Sequence, residues 1–149
     1  MYSFHRRHHD ALYTDYVIYS PSVVVFRGSD GRLLESPFTC SLLTAPAPNA
    51  GAVLQRDPTR GEELRHTLQR RIHKVLSVAA AQSYEAIILG AWGCGVFKND
   101  PRDVAKQFQA ALTGEFAGVF RLVCFAVLDR SSDGTVITPF ERAFGKKPA

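Results

Sequence analysis

The chain has 149 residues, which suits one domain, because two domains would each be small for a self-sufficient core. Hydrophobic residues make up 46% of it and charged residues 21%, an ordinary globular mix that excludes a disordered or fibrous protein. Eighteen Lys and Arg against fourteen Asp and Glu give a net charge of +4. This excess suits an anionic ligand, but it is weak evidence for nucleic-acid binding, which usually clusters its charge.

Hydropathy and cysteine spacing narrow the class of protein further. The apolar runs, such as Val23–Phe26 and Leu122–Leu128, are too short to span a bilayer, and the basic, histidine-rich opening has no apolar core of a secretory signal. No Cys-x-x-Cys pair occurs among Cys40, Cys94 and Cys124, which argues against a disulfide framework and a structural zinc site. We predict a cytoplasmic protein with free thiols and neither a membrane nor a nucleic-acid partner.

The first strands are marked by β-branched runs and turn residues. Ser22–Arg27 predicts a strand that ends in the turn Gly28–Gly31. Thr39–Thr44 is a second apolar run. It leads into Ala45–Gly51, where two prolines exclude a helix and predict a stiff, irregular loop.

The clearest helix runs from Thr59 to about Gln82. Thr59 and Glu62 stand in capping-box register, and apolar residues recur at helical spacing at Leu64, Leu68, Ile72, Val75, Leu76 and Ala79. Its charged residues predict a solvated face, with an anion-binding role as the lesser interpretation: Arg65, Arg70, Arg71 and Lys74. Glu62 and Glu63 complement the helix dipole, which we prefer to a catalytic role. His66 and His73 lie two turns apart, too far for a metal pair.

The second half alternates strands and helices. Glu85–Leu89 predicts a buried strand, and Pro101, capped by Asp100, begins a helix that Gly114 ends. Phe120–Leu128 is a near-continuous apolar run, typical of a strand covered on both sides. Thr138–Glu141 opens a short terminal helix. From residue 39 onward this order predicts an α/β fold with a mostly parallel sheet and helices on its faces. We expect Met1–Asp10 and Lys146–Ala149 to fray.

The most informative stretch is the loop Gly90–Asp100, between a predicted strand and a helix. Ligands bind at such positions in open α/β sheets, because loop amides and a helix N-terminus converge there. Gly90, Gly93 and Gly95 leave the backbone accessible to a phosphate. Trp92 and Phe97 could wall a ribose or base. The alternative is a tight structural turn whose aromatic side chains fill the core, since one glycine-rich loop is a weak signal.

Other reactive residues have simpler explanations. Cys94 could be a nucleophile, but no histidine lies near it in sequence, so a structural cysteine is the better interpretation. Asn49, in the loop after the second strand, could border the same crevice or simply form a turn. Metal-ligand types occur in the opening segment at His5, His8, His9 and Asp10, beside two arginines that would repel a cation. We predict no metal site and no cofactor.

Four stretches together resemble the microbial poly(ADP-ribose) glycohydrolase family, which has a macrodomain fold. They are Leu12–Asp15, Ile18–Val23 with Phe26-Arg27, Leu43–Asn49 and Leu89–Pro101, and the likeness runs from about Tyr2 to about Leu128. The resemblance implies a three-layer α/β/α domain over residues 1–149, with a mostly parallel or mixed sheet. It also implies that the loop wraps the diphosphate of ADP-ribose through the backbone of Gly93, Cys94, Gly95 and Val96, with Phe97 packing near the ribose. The candidate ligand-binding residues are therefore Gly90, Trp92, Gly93, Cys94, Gly95, Val96, Phe97, Asn99 and Asn49.

One departure from the family bears on activity. Members carry a Gln-Glu-Glu motif whose second glutamate is the general acid, and no such motif occurs here; Glu62-Glu63 follows the wrong loop. The resemblance thus covers the C-terminal portion of the domain, and we predict no catalytic residue. Three hypotheses stay open: a module that binds ADP-ribose or ADP-ribosylated protein, part of a glycohydrolase completed by an N-terminal piece, or a remnant that binds no ligand and self-associates.

Overall fold

A computed structural model of the protein describes residues 10–145. Its strands are β1 (Ile18–Arg27), β2 (Leu33–Thr44), β3 (Ala86–Gly90) and β4 (Leu122–Ala126). Its helices are α1 (Ala50–Arg56), α2 (Gly61–Ala81), α3 (Pro101–Thr113) and α4 (Ile137–Phe144), with a 3₁₀ turn at Pro58–Arg60. None of these helices is long and apolar enough to cross a membrane. Of the two ends predicted to fray, all but Asp10 lie outside the described residues.

The α/β class is confirmed, and the strand pairing is mixed. β1 and β2 form an antiparallel hairpin around the turn at Gly28–Gly31, where Gly31 takes a φ of +81°. β3 and β4 form a separate parallel pair in which Ile88 lies opposite Cys124. The segment Thr39–Thr44 is the second half of β2, which folds back on β1. The sequence alternation therefore predicted the parallel pair correctly but did not show this antiparallel one.

The core lies between the β3–β4 sheet and three helices. Alternate strand residues point into it, namely Ile87, Leu89, Val123 and Phe125. They meet buried residues of α2, α3 and α4, which include Leu68, Ile72, Leu76, Val104, Phe108 and Phe140. The ring of Phe125 stacks on that of Phe144 at 4.2 Å and contacts Phe108 edge-on at 5.5 Å. These contacts fix the end of β3, and with it the start of the loop that follows.

The opposite face of the β3–β4 sheet is exposed in the described part of the chain. Ile88 is 76% exposed and Leu122 59%, and Cys124 between them is exposed too. The interpretation of Phe120–Leu128 as a strand covered on both sides is therefore wrong for residues 10–145. Of the three layers that the resemblance implies, these residues provide the sheet and one helical layer. The core helices all lie on the side to which Val123 and Phe125 point, so the other side has no cover here.

The helix ends follow local hydrogen bonding, with three corrections to the sequence analysis. Asp100 caps α3 by accepting from the Arg102 amide at 2.8 Å, as predicted. Thr59 does not cap α2, because Asp57 accepts from the Thr59 amide and caps the preceding 3₁₀ turn instead. Thr138 does not cap α4 either. Asp129, nearby in space, accepts from the amides of Val136 and Ile137 at 2.7 and 2.9 Å.

Helix α1 is the third correction, because the two prolines before it predicted only an irregular loop. The loop ends at Asn49, and the seven residues that follow are helical. Ala50 and Val53 of α1 are buried, so packing stabilises a helix too short to be stable alone.

Candidate functional site

The candidate site is the loop between β3 and α3, where the sequence analysis placed it. Two short turns shape the loop: the Cys94 amide donates to the Ala91 carbonyl at 3.1 Å, and the Lys98 amide donates to the Gly95 carbonyl at 3.0 Å. Lys98 takes a φ of +55°, which is uncommon outside glycine and occurs often at functional sites. The loop thus has a defined conformation.

Three consecutive amides in this loop have no protein partner. The backbone N–H groups of Gly95, Val96 and Phe97 donate to no other residue in the described range. Val96 is 91% exposed, and a Cβ placed on Gly95 would meet no atom within 4 Å. Adjacent amides with no protein partner, here called the open amides, can donate together to an anion. They precede α3, although the Asp100 carboxylate already caps that helix.

Gly93 and Asn99 hold the shape of the loop. Asn99 is buried, and its side-chain amide donates to the Pro48 carbonyl at 2.9 Å and to the Gly93 carbonyl at 3.2 Å. The Asn99 backbone amide also donates to the Gly93 carbonyl. Gly93 has a φ of +73°, and a Cβ there would lie 2.1 Å from the Asn99 amide nitrogen. We conclude that the Asn99 amide anchors the loop and that only glycine fits opposite it.

Phe97 connects the loop to two neighbouring segments, one through its backbone and one through its ring. The Phe97 backbone carbonyl accepts from the Gly51 amide of α1 at 2.9 Å. Its ring lies 5.7 Å from that of Tyr13, centroid to centroid. Tyr13 has a φ of +61°, another uncommon backbone conformation beside the loop. The sequence analysis did not single out Tyr13, because only the tertiary fold brings it to Phe97.

A buried arginine positions Tyr13. The Arg71 side chain of α2 is 3% exposed, and it donates to the Tyr13 carbonyl at 3.0 Å, the Pro46 carbonyl at 3.1 Å and the Asp15 carboxylate at 2.7 Å. The prediction of a solvated face is therefore wrong for Arg71. A signal was present in the sequence, because Arg71 falls on the same helical stripe as Leu68 and Val75.

Burial and the two neighbouring arginines shift the pKa of Asp15 in opposite directions. Burial by itself raises the pKa of Asp15, but hydrogen bonds from Arg70 and Arg71 outweigh burial, and the net shift is downward. Burial lowers the pKa of Arg71, and its hydrogen bond to Asp15 opposes that shift. Asp15 therefore stays ionised near neutral pH and keeps both guanidinium groups in place.

Trp92 and Cys94 face the core rather than the open side of the loop. The Trp92 ring lies 6.5 Å from that of buried Phe108, and both Trp92 and Cys94 pack against the core cluster. Burial, with a smaller contribution from Asp100, raises the pKa of the Cys94 thiol to about 12. A thiol with that pKa is not a nucleophile at neutral pH. The geometry thus fits the structural interpretation of Cys94.

The remaining predicted residues lie at the edge of the loop or away from it. The Asn49 side chain caps α1 by accepting from the Ala52 amide at 3.0 Å, and Gly90 ends β3, where a Cβ would lie 3.2 Å from the Ala126 carbonyl. His66 lies 3.5 Å from Glu62, and His73 lies 2.8 Å from Glu115, all at the surface. Between residues 10 and 145 no cluster of three metal-ligand side chains occurs. His5, His8 and His9 lie outside the described residues.

Comparison with known proteins matches residues 1–28 to the model of the microbial-type poly(ADP-ribose) glycohydrolase catalytic domain. No curated protein matches the chain. Among solved structures, the poly(ADP-ribose) glycohydrolase from Deinococcus radiodurans in complex with ADP-ribose is 47% identical, with a TM-score of 0.90. The match covers 95% of this chain and 57% of that chain.

Two further structures show the same partial overlap. The Deinococcus radiodurans enzyme in apo form is 47% identical with a TM-score of 0.89, and the match covers 95% of this chain and 58% of that one. The Thermomonospora curvata poly(ADP-ribose) glycohydrolase is 46% identical with a TM-score of 0.88, and the match covers 96% of this chain and 52% of that one. The chain therefore spans little more than half the length of these relatives.

Two alanine substitutions separate the glycine that shapes the loop from the one that is open. Gly93→Ala should lower the free energy of unfolding by about 2–4 kcal/mol, since it strains a left-handed residue and breaks the buried Asn99 contacts. Gly95→Ala should change it by less than about 1 kcal/mol, since its Cβ enters open space. Urea unfolding followed by circular dichroism measures both. Equal losses for the two variants would contradict this division.

The Asp15 ion pair predicts a pH dependence. A carboxylate whose folded pKa is lowered stabilises the protein above its unfolded pKa of about 3.9, and that contribution is lost as pH falls through the folded value. Asp15→Asn should therefore be less stable than the wild type by a constant amount above about pH 5. Below about pH 4 the difference should shrink. Unfolding free energies measured from pH 3 to pH 7 test this, and a difference that stays constant to pH 3 would refute it.

Proposed function

We propose that the chain belongs to the microbial-type poly(ADP-ribose) glycohydrolase family and binds ADP-ribose, free or attached to protein, through the loop Gly90–Phe97. The observation that carries the proposal is the row of three open amides at Gly95, Val96 and Phe97. A diphosphate offers several anionic oxygens in a short span, which such a row can bind without any cationic side chain. The relative crystallised with ADP-ribose supports this ligand.

The other predicted residues take supporting roles in this proposal. Gly93 and Asn99 keep the loop in shape, while Trp92 and Cys94 attach it to the core. Asn49 acts through α1, because its cap fixes the helix whose Gly51 amide binds the Phe97 carbonyl. These five residues are positioning residues, and a ligand would contact the backbone of Gly95, Val96 and Phe97.

Phe97 and Tyr13 would give the ligand an apolar surface beside the diphosphate. Their rings lie side by side at the edge of the loop, and both side chains are only half-buried. An aromatic pair of this kind binds a ribose or base by packing while the amides bind the charge. The proposal therefore adds Tyr13 to the ligand-contacting residues that the sequence analysis named.

The second candidate function is that of a glycohydrolase completed by further polypeptide. Two observations favour it: the relatives are named as glycohydrolases, and this chain spans little more than half the length of each. Neither of the adjacent glutamates, Glu62 and Glu63, suits a general acid. The hydrogen bond from Arg60 lowers the pKa of Glu63, which keeps it deprotonated, and Glu62 lies at the exposed start of α2. We therefore assign the present residues to binding, and we treat residues 1–149 as one domain. Its three free thiols are consistent with a cytoplasmic location.

Blocking the open amides should weaken binding while the fold survives. Gly95→Val puts a branched side chain where the diphosphate would approach, so ADP-ribose affinity should fall at least ~10-fold, or ~1.4 kcal/mol. Isothermal titration calorimetry on the purified chain measures this, with adenine and ribose as weak-binding comparisons. Gly61→Val is the matched control, since that Cβ also enters open space, at the start of α2. Unchanged affinity in a folded Gly95→Val variant would remove the loop from the site.

The 149-residue chain by itself should not release ADP-ribose from poly(ADP-ribose) at a meaningful rate. Cleavage of the glycosidic bond needs a proton on the leaving oxygen, and loss of a general acid costs ~10² to 10⁴ in rate. Product release is measured by chromatography, with and without a separately expressed N-terminal piece of a relative. Turnover by the chain alone that disappears in Glu62→Gln or Glu63→Gln would overturn the assignment. Activity only with the added piece would favour the completed enzyme.

A further inference from the structure

A cleft of about 680 Å³, here called the charged cleft, lies where the first turns of α2 and α3 meet. Its volume is in the range of small-ligand sites, about 300–1,000 Å³. The sequence analysis left an anion-binding role open for the basic residues of α2, and one of them, Arg65, lines this cleft. Charged side chains dominate its lining, namely Glu62, Arg65, Asp100, Arg102, Asp103 and Lys106. The charged cleft is thus a second candidate for an anionic ligand.

The three cations of the charged cleft have no partner. The side chains of Arg65, Arg102 and Lys106 form no ion pair or hydrogen bond with any residue between 10 and 145. Arg102 and Lys106 stand four residues apart on α3, so they share one face of the helix and repel each other. Arg65 lines the cleft from the opposite helix, α2. An oxyanion bound between the two helices would relieve the repulsion and accept hydrogen bonds from both guanidinium groups.

The acidic residues of the charged cleft are engaged with other groups. Asp100 caps α3, and the Asp103 carboxylate accepts from the Gln107 side-chain amide at 3.1 Å. Glu62 lies 3.5 Å from the ring of His66. These carboxylates leave the cations available, but they bring the summed charge of the cleft to zero. A neutral sum attracts a long polyanion weakly, so the cleft favours a ligand with one or two anionic groups at fixed positions.

The chemistry of the charged cleft selects a polypeptide. Among residues 10–145 no aromatic side chain lines it. A nucleotide unit brings a base, which proteins commonly bind by stacking it on an aromatic ring. A polypeptide needs no such ring, because one Glu or Asp carboxylate can bind between the guanidinium groups while backbone N–H groups donate to the acidic residues of the cleft. The charged cleft therefore suits an acidic side chain of a polypeptide better than it suits a nucleic acid.

The charged cleft also adjoins the candidate loop. Asp100 ends that loop and lines the cleft, and its Cα lies at most about 11 Å from that of Phe97, three residues earlier. An extended polypeptide covers this distance in three or four residues. We infer that the charged cleft binds a Glu or Asp side chain of the protein that carries the ADP-ribose, a few residues from the modified position. The inference rests on the proposed function, which places the ADP-ribose in the loop.

The test uses the 149-residue chain and matched synthetic peptides. Each peptide is about ten residues long and carries ADP-ribose at a central residue through a link that resists hydrolysis. One glutamate is placed at successive distances on either side of that residue, and a partner peptide has glutamine in its place. We expect the glutamate peptide to bind at least ~5-fold more tightly than its glutamine partner at one placement, as measured by calorimetry.

Two triple variants locate the contact. Changing Arg65, Arg102 and Lys106 to Gln should abolish the preference for glutamate and alter the affinity for free ADP-ribose less than ~2-fold. The control variant changes three other exposed cations to Gln and should keep the preference: Arg32, Lys74 and Arg121. Both variants lose the same net charge, so the comparison separates a local contact from general attraction. Circular dichroism and melting temperature check that both fold.

Three results would overturn the inference: no preference at any placement, a preference that survives in the cleft variant, or an equal loss in both variants. Tight binding of a single-stranded oligonucleotide that only the cleft variant loses would assign the charged cleft to phosphates and overturn it too. Normal binding of free ADP-ribose with no peptide preference defeats the cleft and leaves the proposed function standing. Failure of ADP-ribose to bind defeats the proposed function, whereas tighter binding of an unmodified glutamate peptide to the wild type than to the cleft variant still supports the cleft.

Discussion

The buried guanidinium of Arg71 is the contact on which the arrangement of the site depends. It rises from α2 and binds the Asp15 carboxylate together with the backbone carbonyls of Tyr13 and Pro46, so three distant segments meet at one side chain. Two residues after Pro46, the Pro48 carbonyl accepts from Asn99, which in turn fixes Gly93 in the loop. A buried cation without these acceptors would cost several kcal/mol. The acceptor segments are therefore held against α2 at the position of Arg71.

This chain of contacts separates residues that hold the site from residues that would meet a ligand. Asn99, Asn49 and Trp92 are typical ligand-binding residue types, yet here each is engaged with the protein itself. The open groups are the backbone amides of Gly95, Val96 and Phe97, and the first two of these residues have side chains that offer no polar group. A site of this kind recognises an anion by backbone geometry, and the stability of the loop then limits its affinity as much as any direct contact does.

The exposed sheet face and the unpaired strand edges have one physical origin. In residues 10–145 the helices cover a single side of β3 and β4, and the edges of β2 and β3 remain unpaired across a cavity of about 900 Å³. That cavity ends at Gly90–Gly93, so it borders the candidate loop.

The sequence by itself determined the local elements and the place of the loop. The apolar spacing of α2, the Asp100–Pro101 start of α3 and the glycines after β3 are short-range patterns, and each appears in the structure as predicted. The tertiary structure decided the rest, because the deciding contacts join residues far apart in the chain. The charge pattern of α2 predicts Arg71 at the surface, whereas the structure buries it against Asp15. Asp129 caps α4 in place of Thr138, and the fold brings Tyr13 next to Phe97. Spacing along the chain encodes the period of a helix or strand, but it does not encode which distant acceptor a buried donor will find.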